Sequence, residues 1–112
     1  FYTMQSGSQA VNYLIRERIK FDAVFALSDE MAVGVMKELL EQGKEIPSDV
    51  AVLGFDGIEL GRYTNPTLAT VKQPIEQIGE LAAERLLAML NGEESEDSLI
   101  LPHSISSGSS VG

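Results

Sequence analysis

Few residues in this 112-residue sequence could do chemistry, and the best placed is Asp56. It follows the aliphatic run Val50-Ala51-Val52-Leu53 and stands between Gly54-Phe55 and Gly57. A buried-type strand ending in an aromatic, an acid and a glycine is built to deliver a polar side chain to a crevice. An ionised carboxylate has two acceptor oxygens, suited to a pair of vicinal hydroxyls or an exocyclic amine. An aspartate before glycine can equally shape a turn through its own side chain, so both roles stand at this stage. Ser28 and Asp29 form a second polar tip. Helix capping accounts for both and is the better account of Asp29, whereas Ser28 can cap and also face a crevice. Phe25 is a core residue by type. At a sheet end, its ring could instead stack on the apolar face of a sugar or base.

Other chemistries are poorly provided for. There is no cysteine, so neither a thiolate nucleophile nor a disulfide is possible. The one histidine, His103, follows Pro102 and reads as structural or surface. A hydrolase would have to use it, with no serine and acid placed beside it. We therefore expect no enzyme, no metal and no cofactor. Gly54-x-x-Gly57 lacks the Lys-Ser or Lys-Thr of a phosphate loop. The acidic run 93–97 reads as a solvated loop. Eight basic against seventeen acidic residues give a net charge of -9. Duplex binding needs clustered Lys and Arg, so this surface is not expected to meet DNA. No apolar run approaches the ~20 residues of a membrane helix, and no signal peptide is visible. The expectation is a cytoplasmic protein with no membrane association. The opening Phe1-Tyr2-Thr3-Met4 suggests a piece of a longer protein.

The positioning elements follow from periodicity. Ser6 and Gln9 fit a capping box, and Ala10, Val11, Leu14, Ile15 and Ile19 predict an amphipathic helix over about 8–19. A short apolar run predicts a strand at 23–27. A second helix runs over 29–42, with Ala32, Val35, Met36, Leu39 and Leu40 inward and Lys37, Glu38, Glu41 and Gln42 outward. Gly43 suits its left-handed end, and a strand follows at 50–55. This βαβ unit makes the two strands parallel, with Ser28 and Asp56 on the carboxyl rim where open α/β sheets bind ligands. Loop residues 58–65 leave room for one helical turn. A brief strand at 68–71, a helix from Pro74 closed by Asn91-Gly92, a strand over 98–105 and a flexible Ser-Gly tail complete the chain. The methionines at 31, 36 and 89 read as core or interface.

Together these segments resemble the effector-binding domain of the LacI/GalR family of bacterial transcription regulators. The resemblance runs from about Ala10 to Ser110. It is carried by Asp22-Ala23-Val24-Phe25, Ser28 to Gly34, Ile46 to Val50, Gly54-Phe55-Asp56, Pro66-Thr67-Leu68, Thr70 to Pro74, Gly79 with Ala82 and Leu86-Leu87, and Leu101-Pro102-His103.

The resemblance implies an α/β, three-layer parallel-sheet lobe, part of a periplasmic-binding-protein-like (type I) fold. Residues 1–72 would be the second lobe, 73–97 a crossover helix packing on a first lobe, and 98–112 the returning strand and tail. It further implies ligand contacts at Asp56, Ser28, Phe25 and Gln73, and homodimer contacts at Val33, Met36, Lys37 and Tyr63. The effector would be a sugar, nucleoside or base, or the regulator a phosphocarrier protein. Operator DNA would be bound by an N-terminal headpiece outside these residues. A periplasmic sugar-binding protein of a transporter is the alternative. Three positions depart from the family pattern: Ser28 for the common Asn, Ala69 for Thr, and Gly108 for Arg.

Overall fold

The computed structural model describes residues 3–93 and 101–111. Its elements are α1 (Met4–Arg16), β1 (Ala23–Phe25), α2 (Asp29–Glu41), β2 (Ala51–Asp56), a 3-10 turn (Glu59–Tyr63), β3 (Ala69–Lys72), α3 (Ile75–Leu90), β4 (Ser104–Ser106) and a final 3-10 turn (Ser109–Val111). The chain divides into two compact units. One holds residues 1–72 with 105–112, and the other holds residues 73–104.

In the first unit, β1 pairs parallel with β2 from Ala23↔Ala51 to Phe25↔Leu53, and β2 pairs parallel with β3 from Leu53↔Ala69 to Asp56↔Lys72. The strand order is β1-β2-β3-β4. Burial along β2 alternates: Val52 and Gly54 are buried, while Ala51, Leu53 and Phe55 are half-buried. Only one face of these strands is fully packed. The aliphatic runs predict cover on both faces, and within this unit the second face stays partly open.

The packed face meets α2, which rests in turn on α1. Val11, Ala26, Ala32, Val35, Met36, Leu39, Val50, Val52 and Leu68 form the core. Leu39 and Val52 are wholly buried. Burying a leucine side chain contributes about 1.5–3 kcal/mol. The two helices approach through glycines. A β-carbon on Gly34 would lie 1.8 Å from the Met4 carbonyl oxygen, and one on Gly7 would lie 2.1 Å from that of Met31. Each helix gives up a side chain where the other's backbone passes.

Several local expectations are corrected. Helix α1 starts earlier and ends earlier than the spacing predicts. Thr3 is the N-cap, accepting from the Ser6 N–H at 3.1 Å, and Ser6 Oγ accepts from the Thr3 N–H at 3.1 Å. Ser6 is thus the third helical residue of a Thr3–Ser6 capping box. Ile19 lies past the helix end, beyond Arg18 at φ +58°, and is exposed. Glu38 does not face water. It is buried, taking Asn12 Nδ2–H at 2.9 Å and Ser8 Oγ–H at 3.3 Å from α1. Leu40 is exposed instead.

The tail is not loose. Ser110 is fully buried; its hydroxyl donates to the Val52 carbonyl at 2.7 Å and accepts from the Ala69 N–H at 2.8 Å. One hydroxyl thereby bridges β2 and β3 just below the Leu53↔Ala69 pair where their ladder begins. Gly108 makes this seat possible, since a β-carbon there would fall 2.6 Å from the Thr67 carbonyl oxygen. Of the strand expected over 98–105, residues 98–100 lie outside the described residues, as do 94–97 of the acidic run; β4 occupies Ser104–Ser106.

In the second unit, α3 begins after Pro74, whose missing N–H costs nothing at a helix start. It ends at Gly92 (φ +79°), with Gly92 N–H on the Met89 carbonyl and Glu93 N–H on the Ala88 carbonyl. None of its sixteen residues is buried. Met89 is exposed, whereas Met36 is core.

Candidate functional site

The carboxyl ends of β1 and β2 form a depression of about 440 Å³ lined by Phe25, Leu27, Ser28, Phe55 and Asp56. That lies within the usual range for small-ligand pockets. Phe25 and Phe55 meet edge-to-face, with ring centroids 6.4 Å apart and planes at 73°. Phe25 and Leu27 are both more than half exposed, with relative accessibilities of 55% and 58%. A pair of aromatic rings beside a carboxylate and a hydroxyl suits a ligand with one apolar face and several hydroxyls.

Two backbone features set up this end of the sheet. Strand alternation alone would keep Asp56 on the side of Val52 and Gly54. Asp56 instead has φ +105°, followed by Gly57 at φ +78°. Non-glycine residues rarely hold such angles, and they do so where the surroundings over-determine them. Gly57 is constrained twice, because a β-carbon there would also lie 2.8 Å from Lys72 Cγ.

Ser28 is the N-cap of α2, its hydroxyl accepting the Met31 N–H at 3.2 Å. Its O–H remains available as a donor. With that cap in place, Asp29 serves another purpose. It is buried, accepting the Thr70 hydroxyl at 2.6 Å and the Ile58 N–H at 2.7 Å. One carboxylate ties the start of α2 to β3 and to the segment just after Asp56-Gly57. Gly54 leaves the room for it, since a β-carbon there would be 2.3 Å from Asp29 Oδ1. Asp29 therefore holds the rim without capping α2 through its side chain.

Phe25, Ser28 and Asp56, the residues the sequence singles out, line one depression, and Leu27 and Phe55 line it with them. The alternation carries both signals: Phe55 is on the less-buried face of β2, and Leu27 stands exposed two residues past Phe25, beyond the end of β1. Gln73 lies in the second unit, where its carbonyl accepts the Ile75 N–H at 2.9 Å. Among the residues expected at a dimer contact, Tyr63 is exposed and donates its hydroxyl to Glu59 at 3.4 Å. Lys37 is exposed and ion-paired with Glu41 at 2.5 Å, which raises its pKa. Val33 is half-buried. Met36 is 3% exposed and belongs to the core.

Among the described residues, no group of three His, Asp or Glu side chains could hold a metal ion, and no helix is long and apolar enough to cross a membrane. His103 is exposed.

Residues 2–111 match the periplasmic binding protein-like domain family. The chain is 35% identical over 98 residues to a lactose operon repressor of Rhizobium radiobacter, covering 88% of this chain and 87% of that one. The chain belongs to the LacI-type branch of this family. It is 39% identical over 100 residues to the probable HTH-type transcriptional repressor ExuR of Bacillus subtilis, covering 89% of this chain and 30% of that protein. It superposes with a TM-score of 0.89, at 32% identity, on a LacI family transcriptional regulator from an Arthrobacter species in complex with lactose. That match covers 98% of this chain and 42% of the other. The LacI-type domain described here thus spans under a third of ExuR's length. Its mixed α/β fold with a parallel sheet is the one the residues predict.

Proposed function

We propose that this chain is the effector-binding and dimerisation part of a bacterial LacI/GalR-type transcriptional repressor, and that its effector is a sugar or a similar polyhydroxylated molecule. The observation that carries the reading is the depression lined by Phe25, Leu27, Ser28, Phe55 and Asp56 at the carboxyl ends of two parallel strands. In this reading Asp56 accepts from a pair of ligand hydroxyls, a geometry that fixes orientation. Phe25 and Phe55 cover the ring's C–H face, and Ser28 donates its free O–H. Gln73 is a further ligand contact on the family resemblance. The names of the relatives favour a regulator over a transporter's binding protein.

The effector acts on a headpiece that binds operator DNA and lies outside these residues. It shifts the operator equilibrium only by its differential affinity for the two states of the protein. A homodimer forms through the face bearing Val33, Lys37 and Tyr63; exposed tyrosines commonly anchor such contacts. The protein works in the cytoplasm without a catalytic step.

Calorimetric titration of the full-length protein with a sugar panel tests this. Asp56→Ala should weaken binding of the responding sugar by about tenfold or more, the cost of losing a paired polar contact. Unchanged affinity in that variant would overturn the assignment.

A further inference from the structure

At the other end of the same strands, a second cavity of about 520 Å³ opens beside the chain entering β1 and β2. Buried Val50 and half-buried Ile15 and Phe21, packed against the core, give it an apolar part. Arg18, Lys20 and Lys44 line the rest, together with Asp49. Three of only eight basic residues converge here in a chain of net charge -9. None of the three forms an ion pair among the described residues, where Lys37–Glu41 is the pair observed. The Asp49 carboxylate is already engaged, accepting the Glu45 N–H at 2.7 Å.

A second observation concerns the backbone. All three helices end the same way, with two amides reaching back across the last turn: Arg18 and Ile19 for α1, Gly43 and Lys44 for α2, Gly92 and Glu93 for α3. The left-handed position is glycine in α2 and α3 (φ +79° at both) but Arg18 in α1 (φ +58°). Glycine is the low-cost residue there. Cations beside helix carboxyl ends offset the helix dipole, but Arg16 already stands in the last turn of α1. The dipole alone does not call for a strained arginine two residues on.

We propose that this cavity is a second ligand site, separate from the sugar depression, for a small phosphate monoester with an apolar body. Arg18 presents the guanidinium fork that matches phosphate oxygens. Lys20 and Lys44 add charge, and Ile15, Phe21 and Val50 take the apolar portion. The site is independent of the effector reading.

Phenyl phosphate is the probe, titrated calorimetrically into the full-length protein that carries this chain. We expect saturable binding with a Kd of about 1 mM or tighter. Arg18→Gly should weaken it about tenfold, as loss of a charge-assisted contact does. The glycine suits the left-handed angle, so the thermal midpoint should hold or rise, which separates ligand loss from unfolding. Lys44→Gln should weaken binding in the same direction. Asp56→Ala should leave phenyl phosphate binding intact, and Arg18→Gly should leave sugar binding intact. No saturation by ~10 mM, equal binding of phenol, wild-type affinity in both Arg18→Gly and Lys44→Gln, or loss in Asp56→Ala alone would each overturn the proposal.

Discussion

Helices α2 and α3 carry the same kind of sequence. Both have apolar residues at three- and four-residue spacing, acidic groups in the first turn and a left-handed glycine just past the end. Seven of the thirteen residues of α2 are buried, and none of the sixteen in α3 is. In α2 the stripe meets the sheet on one side, and Gly34 and Glu38 meet α1 on another. In α3, Ile75, Leu87 and Leu90 have relative accessibilities of 60%, 60% and 75%. Periodicity reports that a face is apolar. It does not report what covers that face.

The contrast can be attacked from both sides. Leu39→Ala in α2 should have the largest effect, about 2–5 kcal/mol of unfolding free energy, because it empties a fully enclosed site. Urea denaturation measures it, and a cost below 1 kcal/mol would mean the α2 core is looser than drawn. Asp29→Ala should follow at about 3 kcal/mol, since it strands the Thr70 hydroxyl and the Ile58 amide. That variant should also weaken sugar binding, because the segment after Asp56 loses its anchor.

A smaller, pH-dependent effect is expected at Glu38. Its pKa lies below the ordinary 4.5, held down first by the Asn12 hydrogen bond and then by Gln42, Ser8 and Lys37, against the opposing pull of burial. A folded-state pKa below the unfolded one stabilises the fold above the unfolded pKa, and that stability fades as pH falls through the folded pKa. Thermal midpoints of wild type and Glu38→Gln should therefore differ at neutral pH and converge in acid. A gap that widens toward low pH would contradict this bracket. Leu87→Ala in α3 should change the stability of the chain by less than about 0.5 kcal/mol. A loss matching Leu39→Ala would break the comparison outright, showing α3's stripe to be covered.

Legibility followed the range of the interaction. The Gly43 and Gly92 helix ends, the Pro74 start and the single turn after Asp56 are decided within a few residues, and their signals were plain. The α1 boundary was displaced because Thr3 and Ser6 make a shorter-range box than Ser6 and Gln9 would. The alternation that separates Phe25, Leu27 and Phe55 from Val24 and Val52 was visible, but the aliphatic content of the strands masked it. Glu38 could not be recognised as buried, because its partners Ser8 and Asn12 are thirty and twenty-six residues away. Ser110 sat in a segment whose composition reads as flexible, and its partners Val52 and Ala69 lie fifty-eight and forty-one residues away.

The sequence by itself determined the parallel βαβ unit and the common rim that carries Ser28 and Asp56. Strand and helix periods are local, and the crossover has one favoured hand. Only the tertiary structure decided that Asp29 is a buried bracket and not a cap, that Gly54 exists to admit its carboxylate, and that Phe55 and Leu27 join Phe25 around Asp56. It also decided that one end of the sheet carries a carboxylate beside a pair of aromatic rings while the other collects three cations. Those arrangements depend on which distant backbone passes within a few ångströms, and no local period encodes that distance.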